Sequence, residues 1–341
     1  MSRAALVCPR DGGALATSAS ALECGRGHRY PIVEGVPILL RDDTADTIGV
    51  MSASRAAAGR PDDAPLYLGT VGISDRERAL AKTLARDASS QIDPVVAALV
   101  AATSGHAYKH LIGKLREYPI PEIRLPPGDG QRLLDLGCSW GRWSIAAGRK
   151  GYRVTGIDPS LGALLAARRT ARQLGLDIDF ICADARWLPF ADGSFDVAYS
   201  YSVVQHLSPD DAKRVIGEVA RVLEPGGRSL IQMAHHGGPL SLYHQLRRGF
   251  RPARGFEVRY WRLPALREAF GARIGPTAVA AHCFFGLGLE RSDTRFMRPA
   301  ARRLAQVSAV LSRWSERFTP LVGLSDSVYV SSTKHSQGER A

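Results

Sequence analysis

The stretch Leu133-Leu134-Asp135-Leu136-Gly137-Cys138-Ser139-Trp140-Gly141-Arg142-Trp143 decides the fold. An apolar run ends in an acid, a turn bearing Gly137 and Gly141 follows, and a helix-compatible segment comes next. Further on, Arg153-Val154-Thr155-Gly156-Ile157-Asp158 is a second apolar strand that ends in a second acid. Two buried strands joined by a small-residue turn and a helix make a nucleoside-binding βαβ unit. The turn must let the backbone approach a ligand, so it takes small residues. The second acid is placed to accept hydrogen bonds from both ribose hydroxyls. Ser139 stands in the middle of the turn, where a positive φ strains any residue with a Cβ.

A turn of this kind is shared with dinucleotide dehydrogenases, and the downstream pattern separates the two. Asp177 to Ala185 reads as a third strand ending at Asp184. Phe195-Asp196-Val197-Ala198-Tyr199-Ser200 is a fourth. Val203-Val204-Gln205-His206-Leu207, a helix through Val222-Leu223 and the turn Glu224-Pro225-Gly226-Gly227 lead to a fifth, Arg228 to Met233. This ordered set, from Gln131 to His235, resembles the class I S-adenosylmethionine (SAM) methyltransferases typified by quinone-biosynthesis enzymes. The usual first motif has Gly where this chain has Ser139.

The resemblance implies an α/β fold: a Rossmann-like, seven-stranded sheet with helices on both faces. It implies SAM as cofactor, with the Gly137, Cys138, Ser139 and Gly141 backbone against its methionine and ribose part. Asp135 would act near the methionine ammonium, Asp158 and Pro159 at the ribose, and Asp184 and Ala185 at the adenine. Ser200 closes the cofactor set at the end of the fourth strand.

The first forty residues read as a separate module. Cys8-Pro9-Arg10-Asp11-Gly12-Gly13 and Cys24-Gly25-Arg26-Gly27-His28 are two knuckle-like turns. Tyr30-Pro31-Ile32-Val33-Glu34-Gly35-Val36-Pro37-Ile38-Leu39-Leu40 is a strand pair about a Gly turn. The string resembles the zinc ribbons of bacterial rRNA guanine methyltransferases and the activator subunit of eukaryotic tRNA methyltransferases. Asp11 replaces the second Cys of the usual first knuckle. Zinc accepts carboxylate oxygen, so Cys8, Asp11, Cys24 and His28 make a candidate tetrahedral, structural zinc site. The alternative is a ribbon held by its apolar strands alone.

The expected organisation is a ribbon over 1–41, a linker over 42–73, a helical cap over 74–128 and a SAM-binding core over 129–341. Insertions fall at 237–262 and 291–323. The linker is small, polar and Pro-bearing. Ser74-Asp75-Arg76-Glu77 reads as an N-cap followed by first-turn acids, opening a helix to about Ala88. A second helix is expected from Asp93-Pro94 to Thr103 and a third from Ala107 to Glu117. After the fifth strand, Leu263–Phe270 fits a helix. Thr277–Phe285 and Ser327–Ser332 fit an antiparallel strand pair.

The 341 residues are 45% hydrophobic, enough for one sizeable core. No apolar run approaches the ~20 residues of a membrane-spanning helix, and the N-terminus has no signal-peptide pattern. Five cysteines, two of them in core motifs, argue against a disulfide framework and for a reducing cytoplasm. The net charge of +12 is concentrated at one end: residues 231–341 hold 17 Lys/Arg against 7 Asp/Glu. Such a region attracts phosphate, anionic lipid or an acidic small molecule.

The acceptor side is read from the residues after the fourth strand. The Asn-Pro-Pro-aromatic sequence of amine-directed enzymes is absent at Tyr199-Ser200-Tyr201. His206 is the candidate general base, with His235 and His236 as rivals. The 237–262 insertion interleaves aromatics with arginines and is expected to roof the acceptor. Tyr201, Tyr243, Arg247, Arg248 and Tyr260 are its candidate contacts, since Arg forks bind anions and rings stack. Leu304, Val307, Leu311, Trp314 and Phe318 recur at helical spacing among arginines. That 298–318 stripe is expected to pack on the domain, with a membrane surface or a partner as the alternative. The preferred acceptor is a small anionic or glycosylated metabolite. An RNA methyltransferase and a non-catalytic SAM-binding scaffold are the rivals. The acceptor's identity and the oligomeric state stay open.

Overall fold

The structure is a computed structural model that describes residues 5–46, 49–59, 66–87, 90–104 and 106–336. Linker residues 60–65 and the expected helix end at Ala88 lie outside them. Strands are numbered in chain order. A four-stranded antiparallel sheet holds β1 (Leu15–Thr17), β2 (Ala21–Cys24), β3 (Arg29–Val33) and β4 (Val36–Pro37). The second sheet has seven strands: β5 (Arg132–Leu136), β6 (Arg153–Asp158), β7 (Asp179–Cys182), β8 (Phe195–Ser200), β9 (Leu223–Ala234), β10 (Thr277–Cys283) and β11 (Ser327–Thr333). Their order is β10-β11-β9-β8-β5-β6-β7. β11 runs antiparallel to both β9 and β10, while β5–β6, β6–β7 and β8–β9 are parallel pairs. This is the Rossmann-like seven-stranded sheet expected from the sequence.

The chain divides into two compact units, Met1–Ser194 and Phe195–Ala341. In the first, α1 (Val50–Ala57), α2 (Asp75–Leu84) and α3 (Pro94–Ser104) precede the sheet, and α4 (Arg142–Arg149) and α5 (Leu161–Gln173) connect its strands. α2 starts where its sequence requires. Ser74 Oγ accepts from Glu77 N–H, and Glu77 accepts from Ser74 N–H at 2.9 Å, a reciprocal capping box. α3 also follows expectation, but the third expected helix is reduced to a 3₁₀ turn, His106–Leu111. Leu133, Leu134 and Leu136 are fully buried in β5; burial of such a side chain contributes on the order of 2 kcal/mol.

α1 lies in the stretch read as linker. Its sequence is short and rich in Ala and Ser, and Val50, Met51 and Ser54 are buried. Ser54 donates to Pro159 O at 2.8 Å and accepts from Leu161 N–H at 3.1 Å. Thr70 repeats the device, accepting from Ser160 Oγ on its carbonyl and from Gly162 N–H on its hydroxyl. Gly162 allows this approach, since a Cβ there would lie 2.6 Å from Val71. The small sheet is joined to the same unit by a bridge between Ile38 and Cys182.

In the second unit, α6 (Pro209–Val222) follows β8, α7 (Pro239–Arg247) and α8 (Leu263–Gly271) follow β9, and α9 (Pro299–Arg317) separates β10 from β11. α9 corrects an expectation. Its inward face is Ala305, Ser308, Ser312 and Ser315, while Leu304, Val307, Trp314 and Phe318 are exposed. The stripe does not pack on the domain. Periodicity locates such a stripe but does not say which way it faces.

Candidate active site

The β5–α4 turn is built on three left-handed residues: Gly137 (φ 71°), Ser139 (φ 48°) and Gly141 (φ 80°). Gly137 and Cys138 both donate to Ile157 O, at 2.8 and 2.9 Å, so the turn is tied to β6. Gly141 has no room for a side chain, because a Cβ would meet Ala167 at 3.1 Å and Phe180 at 3.2 Å. Cys138 is buried, and a Cβ on Gly156 would lie 2.9 Å from its sulfur, so the thiol and the glycine are matched.

Ser139 carries the strain anticipated from its sequence position. A left-handed residue with a Cβ costs about 1–2 kcal/mol, part of which glycine returns through its freer unfolded chain. Ser139→Gly is therefore expected to stabilise the protein by roughly 0.5–1 kcal/mol, read as a higher midpoint in urea unfolding. An unchanged or lower midpoint would show that the turn is relaxed as it stands.

The two strand-end acids sit differently. Asp135 is 1% exposed and accepts from Ser144 Oγ at 2.6 Å. Burial, helped by the neighbouring charge of Asp158, raises its pKa from 3.8 to about 7, against the Ser144 hydrogen bond. Asp158 is half-buried and binds two amides: Ser139 N–H to Oδ2 at 3.0 Å and Ser160 N–H to Oδ1 at 2.9 Å. Burial raises it to about 6 despite those two bonds. The carboxylate thus joins the ends of β5 and β6, with lone pairs left over.

Asp184 is held by a residue that the sequence reading passed over. Arg186 reaches back two positions to grip both carboxylate oxygens, with Nε at 3.0 and 3.1 Å and Nη2 at 2.8 Å. Arg186 is buried, also donates to Ala45 O at 2.7 Å, and lies over the Trp187 ring. An Arg two residues from an acid in a loop gives no periodic signal.

In the small sheet, Cys8, Asp11, Cys24 and His28 come together with their ligand atoms within 4.8 Å of one another. His28 Nδ1 lies 3.4 Å from Cys8 Sγ, 3.3 Å from Cys24 Sγ and 3.2 Å from Asp11 Oδ2, and Asp11 Oδ2 is 3.6 Å from Cys24 Sγ. Metal–ligand bonds of about 2.0–2.3 Å in a tetrahedron give edges of roughly 3.3–3.8 Å, which these four separations approach, while the edges from Cys8 Sγ to Asp11 and to Cys24 lie within 4.8 Å. Asp11 does two jobs: Oδ1 accepts from Gly13 N–H at 2.8 Å and holds the knuckle turn, while Oδ2 faces the cluster.

In the second unit, β8 ends at buried Ser200, and Tyr201 follows. Tyr201 donates to Glu290 Oε1 at 3.1 Å, and His282 Nε2 meets the same oxygen at 2.6 Å. His282 Nδ1 lies 2.7 Å from Ser327 Oγ. The His282–Glu290 part of this buried network was missed in the sequence, where His282 reads only as one residue of an apolar strand. His206 stacks on Phe256, with ring centroids 4.2 Å apart, and donates from Nδ1 to Phe256 O at 2.8 Å. That bond puts the ring's lone pair on Nε2. Burial lowers the His206 pKa, the Phe256 carbonyl opposes this, and Arg259 adds to the lowering. His235 is 5% exposed with Nδ1 on Ser325 O, and burial lowers it too. His236 is bound through its backbone N–H to Trp261 O.

The expected acceptor contacts divide. Arg248 lies over the Tyr260 ring and donates to Val258 O, and its Nε is buried without a hydrogen bond. Tyr243 and Arg247 sit together but on the exposed side of α7.

Residues 133–227 match the family described as a methyltransferase domain. A methyltransferase of Streptomyces halstedii, GfsG, is 40% identical over 111 residues, covering 32% of this chain and 39% of that protein. The O-methyltransferase resE of Aspergillus sclerotiorum is 36% identical over 133 residues, covering 36% and 49%. The chain therefore spans less than half the length of either. Among solved structures, the [4+2]-cyclase SpnF is 25% identical with a TM-score of 0.40, over 63% of this chain and 77% of that one. The strand order together with the matched domain defines a class I SAM-dependent methyltransferase fold.

Proposed function

We propose that this chain is a SAM-dependent methyltransferase acting on a small, anionic acceptor. The observation that carries the reading is Asp158, whose carboxylate gathers the amides of Ser139 and Ser160 at the carboxyl end of β6 beside a left-handed, small-residue turn. That is the arrangement a ribose diol needs. Bound SAM supplies an already activated methyl group, so the protein's part is to align the acceptor and remove one proton.

In this reading Asp158, followed by Pro159, takes the ribose hydroxyls, and the Gly137–Gly141 backbone lies along the methionine part. Asp135 orders the turn through Ser144. Asp184, fixed by Arg186, and the Ala185 amide define the adenine end, and Ser200 completes the set. His206 is the base: its tautomer is fixed by Phe256 O and its lowered pKa keeps it neutral near pH 7. The arginines interleaved with aromatics over 237–262, with Arg248 held over the Tyr260 ring, support an anionic acceptor. Relatives that carry the name O-methyltransferase support oxygen as the atom methylated. Cys8, Asp11, Cys24 and His28 we assign to a structural zinc ion, on the strength of the edge lengths above.

The acids give the test. Their folded pKa values, about 6 and about 7, lie above the ordinary 3.8. The folded state therefore binds more protons than the unfolded chain. The resulting stability is complete below pH 4 and is lost as pH rises through 6 to 7. SAM affinity should run the other way, because an ionised Asp158 accepts from ribose better than a protonated one. Calorimetric titration with SAM should thus show tighter binding at pH 8 than at pH 5, while these two groups favour the ligand-free fold at pH 5. No SAM binding at any pH would overturn the reading.

A further inference from the structure

Two helices of the second unit are inverted. In α9 the inward residues are Ala305, Ser308, Ser312 and Ser315, and the outward ones include Leu304, Val307, Trp314 and Phe318. In α7 the buried residues are Ser241 and Gln245, and Leu242, Tyr243 and Leu246 are exposed. A water-facing helix normally shows the reverse pattern.

The orientation is pinned by hydrogen bonds. Ser308 Oγ accepts from Phe284 N–H at 2.9 Å, and Ser312 Oγ donates to His282 O at 3.1 Å. Ser241 N–H donates to Asp326 Oδ1 at 2.7 Å, and Gln245 Nε2 to His236 O at 3.1 Å. Rolling either helix to bury its apolar face would break these bonds and leave buried polar groups without partners. Trp314 is 66% exposed, Leu246 66% and Phe318 59%, a degree of exposure that calls for something to cover them.

Charge selects the covering surface. Between residues 298 and 318 the chain carries five arginines, Arg298, Arg302, Arg303, Arg313 and Arg317, against one acid, Glu316. Apposing a second copy would bring two such cationic helices together, which like-charge repulsion opposes. An anionic lipid headgroup layer complements them, and Trp, Phe and Leu are the side chains that enter the boundary below it. We propose that the outward face of α9 docks on an anionic membrane surface. The helix lies in the interface and does not cross it; among the described residues no helix is long and apolar enough to span a membrane.

The test is flotation of the full chain with vesicles of phosphatidylcholine alone and of phosphatidylcholine mixed with phosphatidylglycerol. Wild type should float with the mixed vesicles and bind the neutral ones on the order of tenfold or more weakly, since each surface arginine and each inserted ring contributes. Trp314→Ser combined with Phe318→Ser should weaken binding on the order of tenfold, and Arg313→Gln combined with Arg317→Gln should remove the anionic preference. All four side chains are exposed, and unchanged thermal unfolding verifies that each variant is folded. Equal binding to both vesicles, no binding, or wild-type binding by either variant overturns the proposal. Sedimentation showing a self-association that the Trp314/Phe318 variant loses, without flotation, would assign the face to a second copy instead.

Discussion

Asp158→Ala is expected to weaken SAM binding by roughly two to four orders of magnitude while the sheet stays folded. Hydrogen bonds to a charged acceptor contribute about 1.5–3 kcal/mol each, and two ribose hydroxyls make two of them. The same substitution releases the amides of Ser139 and Ser160, which Asp158 holds at 3.0 and 2.9 Å, so the turn also loses its fixed shape. Stability should change less than affinity. The carboxylate is held above its ordinary pKa by burial, and removing it relieves that cost as well as deleting two bonds. Calorimetric titration beside thermal unfolding separates the effects. An unaltered dissociation constant in a folded variant would remove Asp158 from the site and, with it, the observation on which the methyltransferase reading rests.

The second large effect concerns the small sheet. Structural zinc contributes about 10–16 kcal/mol to folding of the peptides it binds, and a set with one carboxylate in place of sulfur should fall at the lower end. The purified protein is expected to carry about one zinc per chain. Cys24→Ser, or a strong chelator, should release the ion and abolish hydrogen-exchange protection across β1 to β4. Loosening should spread to β7, because Leu39 N–H donates to Cys182 O at 2.8 Å. Asp11→Cys should bind the ion more tightly. A metal-free protein whose small sheet is fully protected would mean that the strands alone hold this module, with Tyr30 and Val36 buried among them.

The parts of the fold that were legible in the sequence are those whose chemistry is local. An apolar run with an acid at its carboxyl end specified β5, β6 and β7, and Ser74 with Glu77 specified the start of α2. The left-handed Ser139 was visible as a small residue standing where glycine is usual. The parts that stayed hidden depend on tertiary partners. α1 is stabilised by Ser54 reaching Pro159 and Leu161, residues about a hundred positions away, so its own composition gave little sign of it. Glu290 meets His282 and Tyr201 only after β8 and β10 are placed. Spacing locates the α9 stripe at Leu304, Val307, Trp314 and Phe318 but does not distinguish a face turned to the core from one turned outward, which is where these residues lie.

The hydrogen bonds between Ser54 and Thr70 on one side and Pro159–Gly162 on the other, and from Arg186 to Ala45, bear on how portable this core is. A fragment beginning at residue 129 keeps every strand of the large sheet. It lacks the outer brace on the two loops that follow β6 and β7. Transplanting the nucleoside-binding half into another protein therefore means carrying residues 45–73 along with it, as scaffolding rather than as tether.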